Sequence, residues 1–184
     1  SIINLSNGDY CIVDINDSSE RQLTITWVSG EKGISGYFTP ENTLIIPTPF
    51  TVPASPPTFT PLGNGNGVIT QPYWNDGRGA VIFITKGNYS TGFISSRNSL
   101  VGTEPNDRVG EGKLVVLANN NFVIQSPSWN SRKGAITWGD GKRGISGEVS
   151  AQNSIIGLDS RSYTLGGPEV IALTNGNFVA HTNP

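Results

Sequence analysis

The chain has no methionine, one cysteine (Cys11) and one histidine (His181). No disulfide can form within a single chain. A Ser–His–Asp set, a Cys–His pair and a zinc site all lack a footing in so few ligands. Charged residues make up only 14%, and twelve Lys and Arg against fourteen Asp and Glu leave a net charge of -2. That balance argues against nucleic acid or an anionic membrane as partner. No apolar run approaches the length of a membrane-spanning helix, so no membrane insertion is expected. Helical i, i+3, i+4 periodicity is absent over any useful length. The missing methionine, even at position 1, suits a processed form or an excised piece.

What the chain does have is glycine (23), proline (12) and frequent asparagine. These suit short strands joined by tight turns. Four related turns occur: LSNGDY from Leu5, LGNGNG from Leu62, LANNNF from Leu117 and LTNGNF from Leu173. Their spacings are 57, 55 and 56 residues. Two further landmarks recur in the same order. One is TITWVSG, AVIFITKG and AITWGDG; the other is GYFTPENTLII, GFISSRNSLVG and GEVSAQNSIIG. The expected organisation is repeat 1 over 1–47, a Pro-rich connection over 48–61, repeat 2 over 62–112, repeat 3 over 113–167 and the first hairpin of repeat 4 over 168–184. Each repeat holds about four β-rich runs, so the expected class is all-β. A solenoid rung needs only about 20 to 30 residues, whereas a four-stranded antiparallel blade suits a period near 56.

The stretch NDRVGEGKLVVLANNNFVIQSPSWNSRKGAITWGDG resembles the repeat of integrin-type (FG-GAP-like) β-propellers. It also resembles tandem repeats of bacterial haemagglutinin-like surface exoproteins. The third repeat matches that pattern almost continuously, the second matches from Leu62 to Gly110, and the first is degenerate. The resemblance implies tandem blades of a partial or assembled β-propeller, and an extracellular or cell-surface location. It implies no reaction. Integrin-type blades often carry a Ca²⁺ loop in the first turn, but these turns offer at most Asp9, short of the oxygen-rich set Ca²⁺ takes. No metal or cofactor is expected.

Candidate sites follow from the repeat. Trp27, Phe83 and Trp138 share one position, where bulk matters and the indole N–H does not, which predicts packing between blades. Asn42, Asn98 and Asn153 recur in the last strand, as ENTL, RNSL and QNSI, and are expected to satisfy local backbone groups at a turn or bulge. Cys11 aligns with Val68 and Val123, which predicts a buried small hydrophobe. Trp74 and Trp129 follow the second strand, in QPYWND and SPSWNS, where the first repeat has Asp17. With their neighbours Asn75 and Asn130 they have the composition of a glycan site, ring on sugar face and amide on hydroxyl. The other reading is that each Trp caps its loop or packs on the adjacent blade. Asp14, Asp17, Asp76, Asp107, Asp140 and Asp159 are the aspartates from which a carboxylate pair for glycoside hydrolysis would come, though Asp140 explains itself as an Asp-Gly turn. The segment TPFTVPASPPTFTP is read as a surface crossing, the alternative being a ligand for a proline-recognising partner.

The expected function is a non-enzymatic binding or adhesion module, lectin-like, with glycans or cell-surface molecules as partners and Trp74, Asn75, Trp129 and Asn130 facing the ligand. The alternative is a structural subunit that self-associates through blade edges. An enzyme, a glycosidase or lyase on a propeller, comes third.

Overall fold

The computed structural model describes residues 2–5, 8–16, 22–47, 57–87, 90–158 and 170–180. The first repeat forms β1 (Ile2–Asn4), β2 (Tyr10–Asn16), β3 (Gln22–Val28) and β4 (Thr43–Pro47). The second forms β5 (Thr58–Pro61), β6 (Gly67–Gln71), β7 (Ala80–Ile84), β8 (Gly92–Phe93) and β9 (Ser99–Val101). The third forms β10 (Leu114–Val116), β11 (Phe122–Ser126), β12 (Ala135–Gly139), β13 (Gly147–Glu148) and β14 (Ser154–Ile156). A last hairpin pairs β15 (Val170–Ala172) with β16 (Phe178–Ala180).

Each repeat builds its own antiparallel sheet, in the orders β1-β2-β3-β4, β5-β6-β7-β9 and β10-β11-β12-β14. The chain is thus mostly β, in several small sheets, none of them closed among the described residues. Two sheets gain a fifth strand from the following repeat. β8 pairs in parallel with β4, Leu44 opposite Gly92, and β13 pairs in parallel with β9, Gly147 opposite Leu100. The landmark run GFISSRNSLVG is therefore two strands serving two sheets. Gly92 (φ 78°) and Gly147 (φ 108°) adopt the left-handed conformation that only glycine reaches without strain. The turn between the two strands is held by the recurring asparagine. Asn98 Oδ1 accepts the Ser95 N–H at 2.9 Å and its Nδ2 donates to the Phe93 carbonyl at 3.0 Å. Asn42 and Asn153 make the same two bonds, as expected from their recurrence.

The Asn/Gly turns also behave alike. The N–H of Leu5, Leu62, Leu117 and Leu173 donates to the carbonyl four residues on. The residue before that carbonyl is left-handed in each: Gly8, Gly65, Asn120 and Gly176. Asp9 Oδ1 accepts the Gly30 N–H at 3.0 Å, tying its turn to the end of β3. Asn66 does the same for Lys86, and Asn121 for Gly141. Across the joints, Asn64 and Asn66 both donate to the Gly141 carbonyl of the next repeat, and Asn119 donates to Gly176.

The Pro-rich connection is shorter than the sequence suggested. Residues 48–56 lie outside the described residues, but Thr58–Pro61 is strand β5. It takes the outer edge of its sheet, where Pro61 forfeits no ladder bond to a further strand.

The sheets pack face to face. Cys11, Ile25, Trp27 and Leu44 of the first repeat meet Ile69, Ile82 and Ile94 of the second. Val68, Phe83 and Leu100 of the second meet Phe122, Ile124 and Val149 of the third. The Phe83 and Phe122 rings stack at 6.1 Å. The middle sheet buries both faces, and β7, AVIFI, is buried along its whole length. Trp27 and Phe83 are thus core, but Trp138 is 42% exposed, against the packing expected for it. The reason is geometric: that position packs on the following repeat, and among the described residues β15 and β16 cover only part of the third sheet.

Cys11 is fully buried, and burial raises its thiol to a pKa of about 11. It should resist thiol reagents at pH 8 in the native chain and react within seconds of unfolding. Reaction of the folded chain at the rate of a free thiol, followed by colorimetric titration, would show the placement wrong.

Candidate functional site

The loops after β6 and β11 hold the site residues singled out from the sequence. Each is a four-residue helical turn, Trp74–Gly77 and Trp129–Arg132, but a left-handed one. Asn75 and Asp76 have φ of 49° and 58°. Asn130, Ser131 and Arg132 have φ of 48°, 56° and 70°. The turns close with the N–H of Gly79 on Trp74 O and of Gly134 on Trp129 O, at 3.0 and 3.1 Å. A left-handed residue with a Cβ costs about 1–2 kcal/mol, less for asparagine. Three in succession need a surrounding structure that over-determines them.

Two buried side chains supply it. Trp129 is 7% exposed and packs in the core between the second and third repeats. Trp74, half-buried, packs against the core between the first and second. Packing on the preceding repeat, the second of the two readings, is where the structure places both rings. Trp129 therefore has no open face for a sugar to stack on. Its indole N–H is buried without a hydrogen-bond partner. Asn75 and Asn130 remain exposed at the surface of their turns.

The second support is Asp107, buried in the segment that links the second repeat to the third. Its Oδ2 accepts the N–H of Thr103 at 3.0 Å and of Glu104 at 2.9 Å. Its Oδ1 accepts the Asn130 N–H at 2.8 Å. One carboxylate thus folds the linker and fastens it to the left-handed turn of the next repeat. The same linker lies along the turn of its own repeat, with Arg108 N–H on Gly77 O at 2.7 Å and Val109 N–H on Arg78 O at 3.0 Å. Glu111 completes the joint, accepting the Ser128 N–H at 2.9 Å and pairing with Arg108 at 3.7 Å.

Between linker and turn lies a polar cleft of about 370 Å³. Glu104, Asn106 and Arg108 line one side, and Ser128, Asn130, Ser131 and Arg132 the other. Five of the eight non-glycine residues with positive φ among the described residues line it: Asn106, Arg108, Asn130, Ser131 and Arg132. Backbone outliers of this kind concentrate where a structure holds groups in a fixed arrangement. Of the four sequence candidates, only Asn130 reaches this cleft. Asn75 holds the same place in the preceding repeat.

Asn106, Arg108, Ser131 and Arg132 were not legible as site residues, because nothing in their identity marks a left-handed backbone. Asp107 appeared only in a stock of carboxylates. Of that stock, Asp140 is turn chemistry as read: the N–H groups of Lys142 and Arg143 bond its carboxylate and hold its pKa below the usual range. His181, Asp17 and Asp159 lie outside the described residues.

Residues 4–48, 61–111 and 116–164 each match the repeat of one sequence family. No curated protein and no solved structure matches the chain. The three matches begin and end close to the three sheets and together span most of the chain, so the protein belongs to the family described as a repeat of unknown function (DUF5650).

Proposed function

We propose that the chain is a non-enzymatic binding module of an extracellular or cell-surface repeat protein. Its sheets act as blades of an open or assembled propeller, in the manner of integrin-type repeats. The cleft at the joint of the second and third repeats takes a neutral, hydroxyl-rich ligand, a glycan. The observation that carries this reading is the clustering of left-handed residues around one polar cleft. Its lining offers amide and hydroxyl groups, which both donate to and accept from ligand hydroxyls, and guanidinium groups, which donate to them. Glu104 and Asp107 balance Arg108 and Arg132. Asp107 is already engaged by three N–H groups, and Arg108 by Glu111. A lining with so little net charge favours a neutral ligand over an anionic one. Hydrogen-bonding amides, not an exposed ring, then provide recognition.

The test is calorimetric titration with a panel of neutral oligosaccharides. At least one should bind, and Asn130→Gly should weaken it ten-fold or more without lowering Tm, since glycine keeps the backbone conformation and removes only the amide. Ser131→Gly should raise stability by about 1 kcal/mol by relieving strain. Absence of binding across the panel, or full binding by Asn130→Gly, would refute the glycan reading. Turnover of a bound oligosaccharide, lost on a single carboxylate change, would favour an enzyme instead. A structural subunit remains the second reading, favoured by the exposed apolar strip on the third sheet.

A further inference from the structure

The two inner joints of the chain show what each sheet face is built to receive. Trp27 on β3 and Phe83 on β7 are each 8% exposed, because the following repeat lies over them. The Trp27 indole donates to the Ser90 carbonyl of that repeat at 3.0 Å. Leu44 on β4 and Leu100 on β9 are fully buried by the same neighbours. In both joints both halves of the next repeat cover the face, as where Phe122 of β11 stacks on Phe83, and the cover is completed by the second half. That half adds a short parallel strand to the open edge, β8 on β4 and β13 on β9, and tucks in the residue after it, Ile94 or Val149.

The equivalent positions of the third repeat are Trp138 on β12 and Ile155 on β14, which are 42% and 53% exposed. The β15–β16 hairpin, equivalent to the first half of a repeat, already covers Val123 and Ile136 beside them. The outer edge of β14 has no strand partner among the described residues. The exposed strip is therefore the part of the face that a second half would cover. A second copy of the chain cannot seat its complete first repeat there, because β1 and β2 would claim the space β15 and β16 fill.

We infer that Trp138, Ile155 and the free edge of β14 form a docking surface for the second half of a further DUF5650-type repeat, one that continues from the β15–β16 hairpin and adds a parallel Gly-X strand to β14. The surface selects its partner by shape and by backbone pairing. The partner's alanine- and isoleucine-rich face meets the indole, and its Gly-X strand meets the edge.

The test lengthens the full chain after Pro184 by a second copy of residues 129–157, which continue the fourth repeat in register because Pro184 is equivalent to Ser128. Both tryptophans of the added segment are changed to phenylalanine, so that emission reports the original four. In the unextended chain, acrylamide quenching should be dominated by Trp138, as shown by its loss in Trp138→Phe. In the extended chain that quenching should fall several-fold, and amide exchange along 154–156 should slow at least ten-fold. Ile155→Asp in the extended chain should restore both to the unextended values. Unchanged quenching and exchange on extension would overturn the inference. So would protection of Trp138 in the unextended chain that rises with concentration, because the strip would then be covered by self-association.

Discussion

Asp107→Ala should destabilise the chain by about 4 kcal/mol, read as a fall in the urea midpoint at unchanged slope. The carboxylate is buried and is the acceptor for three backbone N–H groups, of Thr103, Glu104 and Asn130. Hydrogen bonds to a charged acceptor contribute about 1.5–3 kcal/mol each, and they do not add fully. Removing the carboxylate leaves donors unsatisfied and also frees the linker from the next repeat. Asp107→Asn, which keeps one oxygen, should lose about half as much. A loss below about 1 kcal/mol for Asp107→Ala would mean that the linker is held by its backbone bonds to Gly77 and Arg78 alone.

Trp129→Ala should cost about 4 kcal/mol, whereas Trp138→Ala should cost less than about 1 kcal/mol. The residue type and the repeat are the same, and only the surroundings differ. Trp129 fills the core between two repeats, while Trp138 is 42% exposed on a face that β15 and β16 cover only in part. Truncating the first leaves a cavity that the flanking sheets cannot close. Trp129→Phe should be much milder than Trp129→Ala, because the indole N–H it removes is buried without a partner and gains nothing from burial. Equal losses for Trp129→Ala and Trp138→Ala in the same urea series would contradict the stacking of repeats described above.

Much of the architecture was legible. The Leu-x-Asn-Gly turns, the period near 56 residues and the β-rich runs between them specified three repeats and a trailing hairpin. The recurring Asn42, Asn98 and Asn153 could be read as turn-holding residues because a polar side chain kept at one place in every repeat has a local duty. The middle position of the second repeat was also encoded. AVIFI is apolar without alternation, as a strand buried on both faces must be, whereas TITW in the first repeat alternates. The candidate site was far less legible. Loop composition left two readings of Trp74 and Trp129 open, a ligand-facing ring or packing on the adjacent repeat, and only the surroundings of the folded chain decide for packing.

The sequence by itself determined the strands, the turns and the number of repeats, because these depend on neighbours within a few residues. Alternation, glycine and asparagine act locally, and they act the same way in each copy. Only the tertiary structure decided which faces meet, which strand crosses to its neighbour's sheet and which side chains surround the cleft. Trp27, Phe83 and Trp138 carry the same local signal, but burial belongs to whatever lies across the interface. The left-handed turn at Asn130 to Arg132 is likewise held by Asp107, a residue more than twenty positions away. A conformation disfavoured in isolation persists there because long-range bonds outweigh its local cost.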